Sequence, residues 1–340
     1  MKKQWFYMLL CLFSISLIFL SACNSFQSKT IENDPKEVVV GEFEQSVSQK
    51  QLLIENKVNQ SGEIMSSIRY YYNDRGLLIE KALSENDFFG SRDAVTTFTY
   101  DEKCRLTNEN TVTTSGNNSQ RINEETRYVY DEQDRIVRKD TSNISDYNDA
   151  HNYELYTYNI DGTPDSIKSF RTKTDLIFKE VTYTYGTDKV TEEEVWYDES
   201  SANSTVRSTT ITEFLPSMNQ PRIAYVTRQD ILGESAKRTD TYTYNEHGLL
   251  TKKVMKGTTQ KTIGESIQET SEETTEEYTY DKNSNKTEYR YYSTVSVSGE
   301  TNNTLESRFI YTYDEDGYLI QSESLDQFGA VTTTTTYKYE

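Results

Sequence analysis

Apolar residues follow two patterns along this chain, and each pattern predicts a different kind of structure. Residues 5–20 form one nearly continuous apolar run, WFYMLLCLFSISLIFL. From Ile64 onward, aromatic residues come in pairs two positions apart, as in the stretch YTYDEDGYLI from Tyr311 to Ile320. Side chains two positions apart on a β-strand point to the same face of the sheet. The second pattern therefore predicts strands that each carry one aromatic face.

The aromatic pairs form two columns when the repeated units are aligned. The second column is Tyr72, Tyr100, Tyr130, Tyr158, Tyr185, Phe214, Tyr244, Tyr280, Tyr313 and Tyr339. The first column, two residues earlier, is Tyr70, Phe98, Tyr128, Tyr156, Tyr183, Tyr242, Tyr278, Tyr311 and Tyr337, with Thr212 as the exception. The intervals run from 26 residues, between Tyr313 and Tyr339, to 36 residues, between Tyr244 and Tyr280. Periods of this length are typical of repeat proteins.

A turn signal follows the aromatic pair. Asp or Asn usually comes next, and four units have a glycine three residues later, at Gly76, Gly162, Gly248 and Gly317. This spacing fits a type I turn closed by a glycine with positive φ, which joins two antiparallel strands. The resulting register places Tyr72 opposite Leu78, Tyr100 opposite Leu106, Tyr130 opposite Ile136, Tyr244 opposite Leu250 and Tyr313 opposite Leu319.

The sequence therefore predicts an all-β fold, an antiparallel β-repeat meander of about ten two-stranded units that form one long twisted or curled sheet. We expect this domain to span residues 50–340, with residues 51–58 as its first edge strand. Variable polar loops are expected at residues 84–91, 114–120, 142–152, 199–204, 256–264 and 298–303. One unit buries too little apolar surface to offset the entropy of ordering it, so the units must stack on one another.

The N-terminal apolar run has the features of an export signal. Lys2 and Lys3 precede it, and the run ends in Leu-Ser-Ala-Cys at Cys23, where the composition turns polar. It is short for a membrane span, which needs about 20 apolar residues. The Leu20 to Cys23 ending resembles the lipobox of bacterial lipoproteins. The resemblance implies a signal peptide at residues 1–22, a diacylglyceryl group on Cys23 and a flexible tether at residues 23–49. An ordinary signal peptide with a chance cysteine, or an uncleaved anchor, is the alternative.

Charge and cysteine content narrow the possible partners. The net charge is −19, and removal of Lys2 and Lys3 with the signal peptide would make it −21. Such an acidic protein repels phosphate backbones, which argues against a nucleic-acid partner. Cys11 leaves with the signal peptide and Cys23 would carry lipid, so Cys104 is the single thiol that remains. An intramolecular disulfide is therefore not expected.

The Tyr-x-Tyr-Asp-x-x-Gly-x-Leu pattern, seen at Tyr311 to Leu319 and, with Asn in place of Asp, at Tyr242 to Leu250, resembles the YD repeat of Rhs and teneurin-type proteins. The resemblance covers about residues 64–340 and implies long antiparallel sheets, which in that family spiral into a shell around a C-terminal toxin. This chain departs from the pattern because its units are longer and more irregular. It also ends inside a repeat motif, at Glu340. Small YD-like lipoproteins without a toxin are the nearer resemblance.

Residues with catalytic potential are few. His247 stands at a turn position, His151 in a variable loop, and Cys104 where other units have glycine. We interpret the histidines as solvated loop residues and the thiol as incidental, with a reactive thiol as the alternative. The sequence has no phosphate-binding loop, dinucleotide fingerprint or zinc pattern. It therefore predicts a non-enzymatic protein without a cofactor or a metal.

The aromatic columns have two interpretations: they form the hydrophobic core, or they stack on sugar rings. The first functional hypothesis is a binding or scaffold module for a glycan or protein ligand. It would be lipid-anchored in the cell envelope, to the outer leaflet of the cytoplasmic membrane or to the outer membrane. The alternative is an envelope carrier or chaperone that holds lipid or unfolded protein on a curled aromatic sheet.

Cys23→Ala is expected to abolish lipid attachment, because the thiol is the acceptor that the lipobox implies. Metabolic labelling with a fatty acid should mark the parent protein and not the variant, which should accumulate as precursor or released protein. Cys104→Ala is the matched control and should keep the label. A parent protein that takes up no label would contradict the assignment.

Overall fold

The computed structural model describes residues 50–340 except 88–89, 116–119, 146–147, 199–202, 216–219, 231–233, 264–265 and 298–299. Lys50–Glu340 forms one unit. The predicted signal peptide, Cys23 and the tether lie outside the described residues. In the part that is described, no helix has the length and apolar character needed to cross a membrane.

Twenty strands make up the described chain. They are β1 (Leu52–Asn59), β2 (Ile64–Tyr72), β3 (Leu78–Asp87), β4 (Gly90–Tyr100), β5 (Leu106–Ser115), β6 (Gln120–Tyr130), β7 (Ile136–Ser145), β8 (Asn148–Tyr158), β9 (Pro164–Arg171), β10 (Leu176–Tyr185), β11 (Lys189–Tyr197), β12 (Ser204–Phe214), β13 (Pro221–Asp230), β14 (Ser235–Tyr244), β15 (Leu250–Ile263), β16 (Ser266–Tyr280), β17 (Lys286–Val297), β18 (Glu300–Tyr313), β19 (Leu319–Leu325) and β20 (Val331–Tyr339). The predicted all-β antiparallel meander is confirmed, because each strand pairs antiparallel with the next.

The sheet closes into a barrel, whereas the sequence predicted one long twisted or curled sheet with residues 51–58 at its edge. β1 pairs with β20 as well as with β2, in a register that sets Leu52 against Tyr339 and Glu55 against Tyr337. Residues 51–58 are therefore not an edge strand, and the sheet is a barrel. Closure satisfies the backbone groups that an open sheet leaves unpaired at its two edges.

Closure brings the two ends of the described chain together. The backbone N–H of Gln51 donates to the carbonyl of Glu340, and the N–H of Glu340 to the carbonyl of Gln51, both at 3.0 Å. Lys50 Nζ lies 3.1 Å from Asp314 Oδ2 and 2.6 Å from Asp316 Oδ2, in the turn between β18 and β19. These contacts fasten the start of β1 across β20 to the next turn.

The turns have the predicted geometry. In the turn after β18, the N–H of Gly317 donates to the carbonyl of Asp314, and Asp314 Oδ1 accepts from the N–H groups of Asp316 and Tyr318. Gly317 has φ 87°, and Gly76, Gly162 and Gly248 have φ 74°, 86° and 76°. Where the glycine is missing, the same position is held at positive φ by Cys104, Asp134 and Ser284. The side-chain bonds explain why Asp or Asn opens each turn.

The predicted register is also correct. Tyr72 pairs with Leu78, Tyr100 with Leu106, Tyr130 with Ile136, Tyr244 with Leu250 and Tyr313 with Leu319. Each of these pairs adjoins a register shift of one residue, as expected when the turn closes with a bulge. The turns after β2, β4, β6, β8, β14, β16 and β18 have this geometry, and they lie with the connections after β10 and β12 at one end of the barrel, which we call the turn end. The other connections lie at the opposite end, the loop end.

Most of the segments predicted as variable loops are strand residues. β15 runs to Ile263, through the predicted loop at residues 256–264, and β16 returns over 15 residues. Polar cross-strand contacts support this long hairpin: Lys256 Nζ lies 2.9 Å from Glu273 Oε2, and Gln260 Nε2 donates to Glu269 Oε2 at 2.8 Å. The prediction failed because the strand carries threonine and paired charges instead of apolar residues, and cross-strand pairs of opposite charge stabilise such a segment.

The face that carries the aromatic columns is the inner face of the barrel. The most buried apolar side chains, Leu78, Ala94, Phe98, Val181 and Ala224, all lie on it by register. Tyr71 and Val129, which point to the other face from between two column residues, are 44% and 47% exposed. Side chains converge on the concave side of a curved sheet and diverge on the convex side, so the more buried face lines the lumen.

The lumen is wide. Twenty strands about 4.8 Å apart have a perimeter of roughly 95 Å, which for a round section corresponds to a backbone diameter of at least about 30 Å. Within the described residues, each strand makes backbone contacts only with its two neighbours. The inner side chains therefore face a space rather than an opposite wall.

Gly317→Val is expected to lower the free energy of unfolding by about 1–2 kcal/mol more than Gly317→Asn, since the left-handed conformation excludes β-branched side chains more strongly. Crowding by neighbouring residues does not cause this difference, because a Cβ added at Gly317 would meet only the Asn285 side chain, at 3.8 Å. Urea unfolding curves measure the difference.

Gly257 is the matched control, because it lies inside β15 without a positive φ. There valine should be tolerated at least as well as asparagine. Equal unfolding midpoints for the two Gly317 variants would contradict the role assigned to the turn.

Candidate functional site

The second-column tyrosines form a ring of hydrogen bonds at the turn end. The Tyr100 hydroxyl donates to the carbonyl of Leu78 at 2.8 Å, and Leu78 is itself the strand partner of Tyr72. The same bond joins Tyr72 to Leu52, Tyr130 to Leu106, Tyr158 to Ile136, Tyr244 to Pro221, Tyr280 to Leu250, Tyr313 to Lys286 and Tyr339 to Leu319, at 2.7 to 2.9 Å. Eight of the ten units are thereby bonded to the unit before them, and these tyrosines are structural.

The ring is interrupted at β10 to β13. Phe214 has no hydroxyl, and Tyr185 is 40% exposed, with the Thr163 side chain near its hydroxyl. The three-residue connection between β10 and β11, residues 186–188, also differs from the five-residue turns of the regular units.

The first-column aromatics form a different arrangement one row deeper in the barrel. Six of them have an ionisable residue as direct cross-strand partner, which places both side chains on the inner face. The pairs are Tyr337–Glu55, Tyr70–Lys81, Phe98–Glu109, Tyr128–Lys139, Tyr183–Glu192 and Tyr242–Lys253. We call the nine first-column aromatics and these six ionisable residues the belt.

The ionisable residues of the belt alternate in sign around the barrel. In strand order they are Glu55, Lys81, Glu109, Lys139, Glu192 and Lys253, with Ile167, Ala224, Tyr289 and Ser322 at other belt-level positions. Three positive and three negative charges leave the belt with no net charge, whereas the whole chain carries −19. The belt is therefore neither apolar nor strongly charged.

Two of the lysines stack on their own aromatic partners. Lys81 Nζ lies 5.9 Å from the centroid of the Tyr70 ring, and Lys253 Nζ lies 5.6 Å from that of Tyr242. Both distances are within the range of cation–π attraction. The ammonium groups are thus oriented by the rings beside them.

The carboxylates are also oriented. Glu55 Oε2 accepts a hydrogen bond of 3.2 Å from the Tyr70 hydroxyl, and Glu154, next to the belt, accepts one of 2.7 Å from Tyr156. Burial raises the pKa of Glu109, and the nearby Lys139 and Lys81 oppose that rise. Burial also raises the pKa of Tyr70 and Tyr156, and the adjacent glutamates raise it further. The phenols therefore stay neutral donors at physiological pH.

The belt has the composition of a ligand-binding site. Aromatic rings alternate with a few fixed donors and acceptors, which is the composition of sites for ring-containing polar ligands. His151 lies in β8 on the outer face, opposite Ser142, and His247 lies exposed in the turn after β14, beside Glu246. Cys104 is exposed at a turn position, in contact with Arg75. Within the described residues, no three potential metal ligands converge.

Sequence reasoning found the aromatic half of the belt and missed the ionisable half. Four of the six ionisable residues stand eleven positions after their aromatic partner, because the five-residue turn and the bulge fix that offset. These are Lys81, Glu109, Lys139 and Lys253. A search at that spacing would have found them. Glu55 belongs to the closing pair of strands, so no local spacing could have found it.

Comparisons with known proteins leave the family open. No family model matches the chain, and no curated protein matches it. Two solved structures have some likeness in fold. A porin-like protein from Bacteroides uniformis has a TM-score of 0.36 and 12% identity, over 84% of this chain and 96% of that one. A porin-like protein from Bacteroides vulgatus has a TM-score of 0.31 and 8% identity, over 86% and 99%. These TM-scores and identities are too low to support a conclusion about this chain. Closure of the sheet rests on the pairing of β1 with β20.

The stability of the barrel is expected to fall as pH rises from about 10 to about 12. Burial raises the pKa of Tyr128, Tyr183 and Tyr311 to about 12, against about 10 in an unfolded chain. A raised pKa favours the neutral phenol in the folded state, so this stabilisation is complete below pH 10 and is lost as pH approaches the folded value. Urea midpoints across this range measure the loss.

Tyr128→Phe should reduce the steepness of that loss, since the variant has one phenol fewer to ionise. A urea midpoint that stays constant from neutral pH to about 12 would contradict the burial of the first column.

Proposed function

We propose that the protein is an exported, lipid-anchored and non-enzymatic binding module that takes a glycan into the lumen of its barrel. The export signal and lipobox that end at Cys23 support the location in the cell envelope. The recurring aromatic pair followed by a turn that begins with Asp or Asn supports the proposed relationship to YD-repeat lipoproteins. The observation that carries the binding role is the belt.

The belt suits a sugar chain for a physical reason. A sugar ring offers C–H groups that pack on an aromatic face and hydroxyls that bond to charged groups at its edge. On the belt, each of six aromatic rings has a carboxylate or an ammonium group directly opposite. From Glu55 to Lys139 the belt charges lie on every second strand, about 10 Å apart, and the later belt charges are more widely spaced. One ring can therefore stack while its substituents reach both signs of charge.

The belt fits the alternative carrier role less well. An acyl chain laid along the belt would remove three lysines and three glutamates from water without replacing their hydrogen bonds. Each desolvated charge carries a cost of several kcal/mol, so a lipid site would need a more apolar wall. The charged outer face, which carries pairs such as Lys252–Glu277 at 3.1 Å, equally suits contact with water.

Lys139→Gln tests the belt, because it removes one charge and keeps the approximate volume of the side chain. We expect binding to immobilised glycans to weaken by about tenfold, or about 1.4 kcal/mol. Lys139 lies 3.6 Å from Glu154 and its side chain is 33% exposed. The matched control is Lys252→Gln on the outer face, where the lysine is 45% exposed and also pairs with a glutamate.

The measurement is binding of the purified full-length protein to an array of neutral and acidic glycans. Weaker binding by the Lys139 variant alone supports the proposal. Equal loss in both variants, or no glycan binding by the parent, would contradict it. Co-purified lipid, detected by mass spectrometry and reduced by Lys139→Gln, would favour the carrier role instead.

A further inference from the structure

Three aromatic rings stand side by side on the inner face, on the consecutive strands β16, β17 and β18. Tyr278 pairs with Tyr289, and Tyr289 pairs with Phe309. The ring centroids of Tyr278 and Tyr289 are 5.3 Å apart, and those of Tyr289 and Phe309 are 6.1 Å apart. Tyr278 belongs to the belt, but its strand partner is another aromatic residue instead of an ionisable one. We call these three residues the aromatic row.

The aromatic row is open to the lumen. All three residues are partly exposed. In the described part of the chain, each strand contacts only its two neighbours, so no opposite wall covers the rings. The planes of Tyr278 and Tyr289 are inclined by 49°, and those of Tyr289 and Phe309 by 41°. One flat, fused ring system therefore cannot stack on all three, whereas a chain of separate rings can turn from one to the next.

Polar groups of both signs border the aromatic row. On its turn-end side, Lys286 Nζ lies 4.6 Å from the Tyr311 ring centroid and 6.0 Å from that of Tyr289. On its loop-end side, Glu276 accepts a hydrogen bond from the Tyr278 hydroxyl. A ligand that lies along the row therefore meets donors at one edge and an acceptor at the other.

The Lys286 ammonium has unused hydrogen-bonding capacity. Among the residues that the structure describes, it takes part in no hydrogen bond or ion pair, and it lies against the two tyrosine rings. Burial lowers the pKa of Lys286. Glu276, in contrast, also has Lys253 as its strand partner. The ammonium is thus a donor that the rings hold in place and that a ligand hydroxyl can accept from.

The carboxylates near the row disfavour an anionic ligand. Burial raises the pKa of Tyr291, and the charges of Glu276, Glu306 and Glu272 raise it further. Tyr291 is the strand partner of Glu276, so these carboxylates lie at the loop-end side of the row. Hydroxyl groups can donate to a carboxylate and accept from the Lys286 ammonium. The surroundings of the row therefore suit a neutral ligand that carries hydroxyls at both edges.

We propose that the aromatic row binds an extended chain of neutral sugar rings joined through equatorial links, with one sugar on each aromatic ring. Equatorial links at both ends of a pyranose keep the chain straight, so successive sugars lie about one ring length apart, as the three centroids do. Rotation about each link lets successive sugars follow the inclination of the aromatic planes. Axial links curl the chain away from a straight row. This inference rests on the proposed glycan-binding function and names its substrate class.

Two tetrasaccharides of the same composition test the linkage. Cellotetraose has equatorial links, and maltotetraose joins the same sugars through axial links. Titration calorimetry with the purified full-length protein measures both affinities. We expect cellotetraose to bind at least about tenfold more tightly than maltotetraose.

Tyr289→Leu should weaken the binding of cellotetraose by about tenfold or more, because it removes the central ring and keeps an apolar side chain. Lys286→Met, which removes the donor and keeps the aliphatic stem, should weaken it by about threefold. The matched control is Tyr225→Leu, since Tyr225 is 42% exposed on the outer face of β13, opposite Thr239. That variant should bind like the parent. Urea unfolding verifies that each variant is folded.

Equal affinity for the two tetrasaccharides would overturn the equatorial class. Failure of cellotetraose to bind, or binding that survives Tyr289→Leu unchanged, would overturn the site itself. The Lys139 variant separates this inference from the belt, because Lys139 lies on β7, ten strands from Tyr289 on β17 in a ring of twenty. If array binding depends on Lys139 while cellotetraose does not bind, the belt stands and the row fails. If cellotetraose binding depends on Tyr289 while Lys139→Gln alters neither measurement, the row stands and the belt fails.

Discussion

The pairing of β1 with β20 is the constraint on which the rest of the structure depends. Twenty antiparallel strands in an open sheet would leave two edges with unpaired backbone groups, and such edges promote association between chains. Closure pairs both edges with each other and turns one face of the sheet inward. An inner face exists only because the ring is complete, so the belt is a consequence of that pairing.

The repeated unit has a role that a single copy cannot fulfil. Eight of the nine second-column tyrosines donate their hydroxyl to a carbonyl of the previous unit, as Tyr100 does to Leu78. The turn that follows Tyr100 also contacts the next unit, since the Arg105 guanidinium lies 4.6 Å from the Tyr130 ring centroid and contacts Asp134. The motif recurs because a copy of it can contact the units on both sides. Stability in such arrays comes from interfaces between neighbours more than from the units themselves.

Local features were predictable from the sequence, and closure was not. The Asp–x–x–Gly spacing fixes the turn, the turn fixes the register, and the register places Tyr313 against Leu319 as predicted. Four of the six ionisable belt residues follow from the same register, although they were not recognised. Closure depends on the number of strands and on the twist accumulated over all of them, and no short stretch encodes either quantity. The second part of β15, residues 256–263, was predicted as a loop for another reason: its stability comes from polar pairs with β16, which an apolar pattern does not show.

A barrel in which each two-stranded unit bonds only to its neighbours can change in diameter when a unit is gained or lost. Duplication of one two-stranded unit would add about 10 Å to the perimeter and about 3 Å to the diameter, with the same turn and the same tyrosine bond at each new joint. Loss of one unit would narrow the ring by the same step. The interrupted rim at Phe214, where the hydroxyl bond is already absent, is the joint at which an insertion or deletion would disturb the fewest bonds. A change in the number of units would therefore change the diameter of the barrel in fixed steps. The contacts within each repeated unit would stay the same.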